Sequence, residues 1–204
     1  MITIVDYGLG NIQAFANIYK SLDIPYSIAH DCEDLKSASR LILPGVGAFD
    51  WAIQRLEASG MRPVLDDLVL NHHVPVLGIC VGMQIMANRS EEGRLPGLGW
   101  ISGEVKRFDE AMLATKTGLP HMGWNDISHK ADPLFVNITD ARFYFLHSYH
   151  FKTDSVDQVL AESEYGYRFP AAVFSDHVIG VQFHPEKSHH WGVKLLKNFA
   201  GFHI

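Results

Sequence analysis

The chain has 204 residues, 47% of them hydrophobic, which is enough to bury one substantial core and short for two. A formal net charge of -6 and an isoelectric point near 6.0 leave no basic excess for a phosphate backbone or an anionic membrane surface, so nucleic-acid and membrane partners are not expected. Two cysteines cannot form a disulfide framework, and the longest nearly uncharged apolar stretch, Val74 to Ala87, is too short to span a bilayer and is interrupted by Pro75, Gly78 and Gly82. The expectation is a single cytoplasmic domain over residues 1–204.

Along the chain, short apolar runs alternate with helical patterns, which predicts parallel strands joined by crossover helices. Ile2 to Val5 reads as a buried strand. It breaks at Asp6-Tyr7-Gly8-Leu9-Gly10-Asn11, after which Ile12, Phe15, Ile18, Tyr19 and Leu22 recur with helical spacing. Leu41 to Leu43 is a second strand, closed by Pro44-Gly45-Val46-Gly47. Helices from about Phe49 to Ala58 and Pro63 to Asn71 precede a third strand, Val74 to Gly78. Further strands are expected near Glu104 to Phe108, Arg142 to His147, Gln158 to Glu162, Ala171 to Phe174 and Val178 to Phe183, with a last helix from about His190 to Phe202. The Gly-rich middle, Glu91 to Pro120, is where the site loops are expected.

The strongest local signal is Gly78-Ile79-Cys80-Val81-Gly82, placed where a buried strand gives way to the helical pattern Met83, Ile85, Met86, Ala87. This is a nucleophile elbow with sulfur in place of oxygen. The glycines permit a sharp strand-to-helix turn that lifts Cys80 clear of the sheet. A thiol at a helix N-terminus also feels the positive end of the dipole, which favours the thiolate nucleophile, and the Val81 N–H points where an oxyanion would form. About a hundred residues on, His184-Pro185-Glu186 follows a predicted strand. A cysteine nucleophile needs a base that holds the thiolate and later protonates the departing amine, and histidine titrates in the right range. A carboxylate two residues away can fix its tautomer. The adjacent pairs His72-His73 and His189-His190 read as surface histidines, because sequence neighbours seldom share one metal without partners at i+3 or i+4, and Cys32 reads as a packed thiol.

At these residues the chain resembles the class I, triad-type glutamine amidotransferases, and within them the glutaminase subunits of imidazole glycerol phosphate synthases. The resemblance runs over nearly the whole chain: Asp6 to Asn11, Pro44 to Phe49, Gly78 to Gln84, Gly97-Leu98-Gly99, Pro120-His121-Met122-Gly123-Trp124-Asn125 and Gln182 to Ser188 are similar to the family's motifs in order. It departs at Thr117-Gly118-Leu119, where a basic residue is usual, and at Val81, where leucine is. The resemblance implies a flavodoxin-like α/β domain with a largely parallel sheet flanked by helices. It implies a Cys80-His184-Glu186 triad hydrolysing L-glutamine to glutamate and ammonia, with no metal or organic cofactor. Val81, Val46 and Gly47 would supply oxyanion donors, Gln84, Glu92, Ser148 and Tyr149 would hold the substrate's amino-acid end, and Asn11, Trp124, Tyr144 and Lys187 would face a partner. That partner would be a (β/α)8-barrel cyclase subunit in a heterodimer, receiving the ammonia for histidine biosynthesis. Two alternatives stay open at this point: a paralogous glutaminase supplying another synthase, such as one for surface-polysaccharide sugars, and a non-catalytic module holding a phosphate at the Gly8 to Asn11 loop.

Overall fold

A computed structural model describes residues 1–113 and 118–201; Thr117 and the expected helix end at Phe202 lie outside the described residues. The strands in chain order are β1 (Ile2–Val5), β2 (Tyr26–Ala29), β3 (Leu41–Gly45), β4 (Val76–Cys80), β5 (Arg89–Ser90), β6 (Gly103–Arg107), β7 (His121–Asp126), β8 (Ser128–His129), β9 (Arg142–His147), β10 (Tyr149–Thr153), β11 (Val159–Tyr165), β12 (Tyr167–Ser175) and β13 (Val178–Val181). Eight of them form one sheet in the order β2-β1-β3-β4-β13-β12-β11-β8. The first five run parallel and the last three join antiparallel. The parallel part is the 2-1-3-4-5 order of flavodoxin-like sheets.

β1, β3, β4 and β13 are buried throughout, as expected of continuous apolar runs covered on both faces. The covering helices are amphipathic. α1 (Ile12–Ser21) buries Phe15, Ala16 and Tyr19, and a second long helix, Phe49–Ala58, buries Phe49, Ala52, Ile53 and Leu56. The C-terminal helix His189–Ala200 buries Leu195, Leu196 and Phe199, and the Tyr19 hydroxyl donates to the Leu196 carbonyl at 3.3 Å, tying first helix to last.

Several expectations change. The helix expected to Asn71 is α-helical only over Arg62–Asp66 and continues as a wider π turn over Asp67–Asn71, while the third strand runs to Cys80 rather than Gly78. The helix after Cys80 is a single turn, Val81–Gln84, which then tightens into i→i−3 bonds from Met86 to Met83 and Ala87 to Gln84. Its dipole is correspondingly small. The Glu91 to Pro120 stretch contains β6 and a 3-10 turn at Glu110–Met112, and the site loops lie mostly elsewhere. Among the described residues no helix is long and apolar enough to cross a membrane.

Candidate active site

Cys80 ends β4 at φ 55°, ψ −112°, the strained elbow conformation, and is buried. The turn fits only because its neighbours lack side chains. A Cβ on Gly82 would stand 2.0 Å from the Leu43 carbonyl oxygen, and one on Gly45 2.2 Å from the Gly82 amide nitrogen. β3 and the elbow are therefore in backbone contact, which brings the Pro44 to Gly47 segment beside the thiol.

His184 follows β13, the strand paired with β4, so both side chains emerge from adjacent parallel strands at their carboxyl ends. Its backbone N–H donates to Tyr144 and its Nδ1 lies 2.9 Å from Glu186 Oε1, with both side chains almost wholly buried. Burial works against a charged His184. Its hydrogen bonds to Cys80 and Glu186, and their negative charge, outweigh that and hold its pKa well above the ordinary imidazole range. Glu186 Oε2 is buried without a hydrogen-bond partner, so this carboxylate is engaged on one side only, by the imidazole.

Two residues not expected at the site, Gln182 and Tyr7, stand near the sulfur. Gln182 Nε2 donates to Cys80 Sγ at 3.7 Å, while Gln182 Oε1 accepts from Gln84 Nε2 at 3.0 Å. Tyr7, whose hydroxyl donates to the Pro44 carbonyl at 2.7 Å, is held neutral by burial and secondarily by the charge of Cys80. The available signal for Gln182 was its position two residues before His184, at the end of an apolar run, where a buried lone amide demands partners.

A cavity of about 320 Å³ opens over the sulfur. Cys80, Val81, Val46, Gly47, Gln84, Glu92, Ser148, Tyr149, His184 and Lys187 all line it, joined by Pro120, Leu146 and His147. Glu186 stands behind His184, outside the cavity. Gln84 Nε2 also donates to the Tyr149 carbonyl at 3.1 Å, fixing the Ser148-Tyr149 wall. Glu92 accepts from Phe49 N–H at 2.8 Å, at the start of the Phe49–Ala58 helix, whose cap residue Ala48 offers no side chain of its own. Burial raises the Glu92 carboxyl and the Phe49 bond partly opposes this. Gly47 holds φ +87°, with Trp51 the nearest atom to a would-be Cβ at 3.8 Å.

Of the residues expected to face a partner, Lys187 lies on the cavity lip with its Nζ 5.8 Å from the Tyr144 ring. Trp124 is 37% exposed, packs edge-on to Tyr144 and stacks on His189 at 5.2 Å. Asn11 is exposed and caps α1, its Oδ1 accepting from Ala14 N–H at 3.3 Å. The phosphate alternative fares poorly there, because Asp6 accepts from the Gly8 N–H at 3.1 Å and puts a carboxylate where an anion would have to sit.

The chain belongs to the class I glutamine amidotransferase family, whose model matches residues 3–201. Within the family it is 56% identical to the imidazole glycerol phosphate synthase subunit HisH of Bdellovibrio bacteriovorus and 48% identical to that of Leptospira interrogans, covering 98% of this chain and 99% of each relative. A crystal structure of a glutamine amidotransferase shares the fold with a TM-score of 0.74 at 19% identity, over 98% of this chain and 99% of that one.

Proposed function

We propose that this chain is the glutaminase subunit of an imidazole glycerol phosphate synthase, hydrolysing L-glutamine at Cys80 and delivering ammonia to a (β/α)8-barrel cyclase. The observation that carries the reading is the convergence, in one cavity, of Cys80 and His184 with Gln84, Glu92, Ser148 and Tyr149. The amino-acid end of glutamine sits against the last four, where a substrate ammonium favours the ionised form of Glu92. Cys80 Sγ then attacks the side-chain amide carbon, and the N–H groups of Val81 and the Val46-Gly47 segment receive the oxyanion. Collapse of the adduct breaks the C–N bond as His184 passes its proton to the leaving nitrogen, giving ammonia and a thioester. Water attacks the thioester, His184 takes its proton, and glutamate leaves with the sulfur restored. Glu186 keeps the imidazole oriented throughout.

The paralogous reading, the same glutaminase feeding another synthase, shares every step above and differs only in the partner. In the assembly with the cyclase, Cys80→Ala removes glutamine-dependent formation of imidazole glycerol phosphate and leaves ammonium-dependent formation at the parent rate. Residual glutamine turnover by the variant overturns the nucleophile. Failure of the cyclase and its ribulosyl nucleotide to stimulate the parent chain's glutaminase favours the other synthase.

A further inference from the structure

The end of the sheet opposite Cys80 carries a cluster with no part in glutamine hydrolysis. His73 stands three residues before β4, and Asp176 and His177 form the turn between β12 and β13. His73 is exposed, as expected of the His72-His73 pair, and also lies against His177, more than a hundred residues away.

The chemistry of the three side chains is constrained. His177 is buried, and its Nε2 lies 2.7 Å from the Val69 carbonyl, so that nitrogen donates there and Nδ1 is the one left facing the cluster. That Nδ1 is 3.4 Å from His73 Nδ1 and 3.5 Å from Asp176 Oδ2, and all three ligand atoms lie within 4.8 Å of one another. A lone pair on Nδ1 facing that carboxylate oxygen would be repelled, and either a proton on Nδ1 or a metal ion between the two relieves it. Two nitrogens bound tetrahedrally to one ion at about 2.05 Å are separated by about 3.3 Å, close to the spacing found. An imidazole whose far N–H is tied to a backbone carbonyl is also the usual support of a metal-bound histidine. His73 and Asp176 are exposed and held at φ 51° and 58°, left-handed conformations, and the cluster is open to solvent.

We propose that His73, Asp176 and His177 form a Zn²⁺ site, with water as fourth ligand. The ion would clamp the segment leading into β4 onto the β12–β13 turn, and so fasten at their near ends the two strands whose far ends carry Cys80 and lead to His184. The competing account is a long hydrogen bond from His73 Nδ1–H to His177 Nδ1, which needs no ion.

Calorimetric titration with Zn²⁺, in the parent chain and in Cys80→Ala to remove the cavity thiol as a competing ligand, separates the two. One equivalent is expected to bind in both, with Co²⁺ giving a tetrahedral visible spectrum and Ca²⁺ and Mg²⁺ not competing. His73→Asn and Asp176→Asn, which keep residues tolerant of left-handed backbone, should each weaken Zn²⁺ on the order of tenfold or more. His190→Gln should change nothing. Zn²⁺ should raise the unfolding temperature of the parent and not of His73→Asn. No stoichiometric binding, or binding undiminished in both asparagine variants, overturns the site.

Discussion

Gln182 is completely buried, and its amide is divided between the proposed nucleophile and a residue of the cavity wall: Nε2 donates to Cys80 Sγ and Oε1 accepts from Gln84. A hydrogen bond to a charged group contributes roughly 1.5 to 3 kcal/mol, so Gln182→Met, which fills similar volume, should lower glutaminase kcat on the order of 10 to 100-fold with a smaller change in KM. An unchanged kcat would show that the sulfur does not use this donor. His184 and Glu186 should separate in the same assay. In the proposed mechanism His184 moves the proton and Glu186 orients it through Oε1 alone, its other oxygen lacking a partner. His184→Asn is expected to lose activity almost completely and Glu186→Gln, whose amide oxygen can still accept from Nδ1, to keep a measurable remainder. Equal activities would contradict that division.

Elements were legible where the apolar pattern is strong, on both faces or, as in β9 (Arg142–His147), on one, and opaque where it is weak. β1, β3 and β4 announce themselves as apolar runs, and the Phe49–Ala58 helix was placed to the residue. β7 was invisible as a strand because its inward residues are His121, Gly123 and Asn125, which give no alternating hydrophobic signal. Their polarity is satisfied by a chain that no sequence pattern reveals: Asn125 Nδ2 lies 3.2 Å from His121 Nε2, His121 Nδ1 lies 2.9 Å from His147 Nε2, and His147 Nδ1 lies 2.7 Å from the Tyr149 carbonyl. The consistent protonation pattern keeps both imidazoles neutral, each donating through Nδ1. Burial lowers His121 to about 4 and His147 well below its ordinary value, so on acidification the unfolded chain takes up these protons first. Stability carried by His121 is complete above about pH 6.5 and declines as pH falls toward 4, by on the order of 3 kcal/mol, and His147 acts in the same direction. Urea unfolding across that range should show this slope, and His121→Gln, which can still donate to His147, should flatten it. Parallel slopes for the two proteins would exclude His121 as the titrating group.

At the scale of the whole molecule, the cavity and the expected docking surface are continuous. Across the β7–β9 ribbon Met122 pairs with Leu146 and Trp124 with Tyr144, leaving three of these four large side chains exposed, and Leu146 also walls the cavity. A partner seated on this ribbon would cover apolar surface that is otherwise in water and close over Lys187 at the cavity lip. In the proposed assembly uncoupled glutamine hydrolysis would waste ammonia, which favours control at this junction, with the Val46-Gly47 segment proposed to receive the oxyanion as the part that responds. Gly47, at φ +87° with only Trp51 at ordinary contact distance from a would-be Cβ, has the backbone freedom to rotate its peptide without moving Cys80, His184 or Glu186. One oxyanion donor is worth about 3 to 4 kcal/mol, or on the order of 100 to 1000-fold in rate. Cyclase and its nucleotide should therefore raise glutaminase by about that factor, mainly in kcat. Trp124→Ala should weaken association by about 2 kcal/mol while leaving the isolated chain's unfolding temperature nearly unchanged, because Trp124 is partly exposed already. Gly47→Pro removes the N–H and forbids the positive φ, and should abolish activation without abolishing assembly. Gly47→Ala keeps the N–H, strains the backbone by about 1 to 2 kcal/mol and should retain part of it. Full glutaminase activity of the chain alone, or normal activation in Gly47→Pro, would place the control outside this segment.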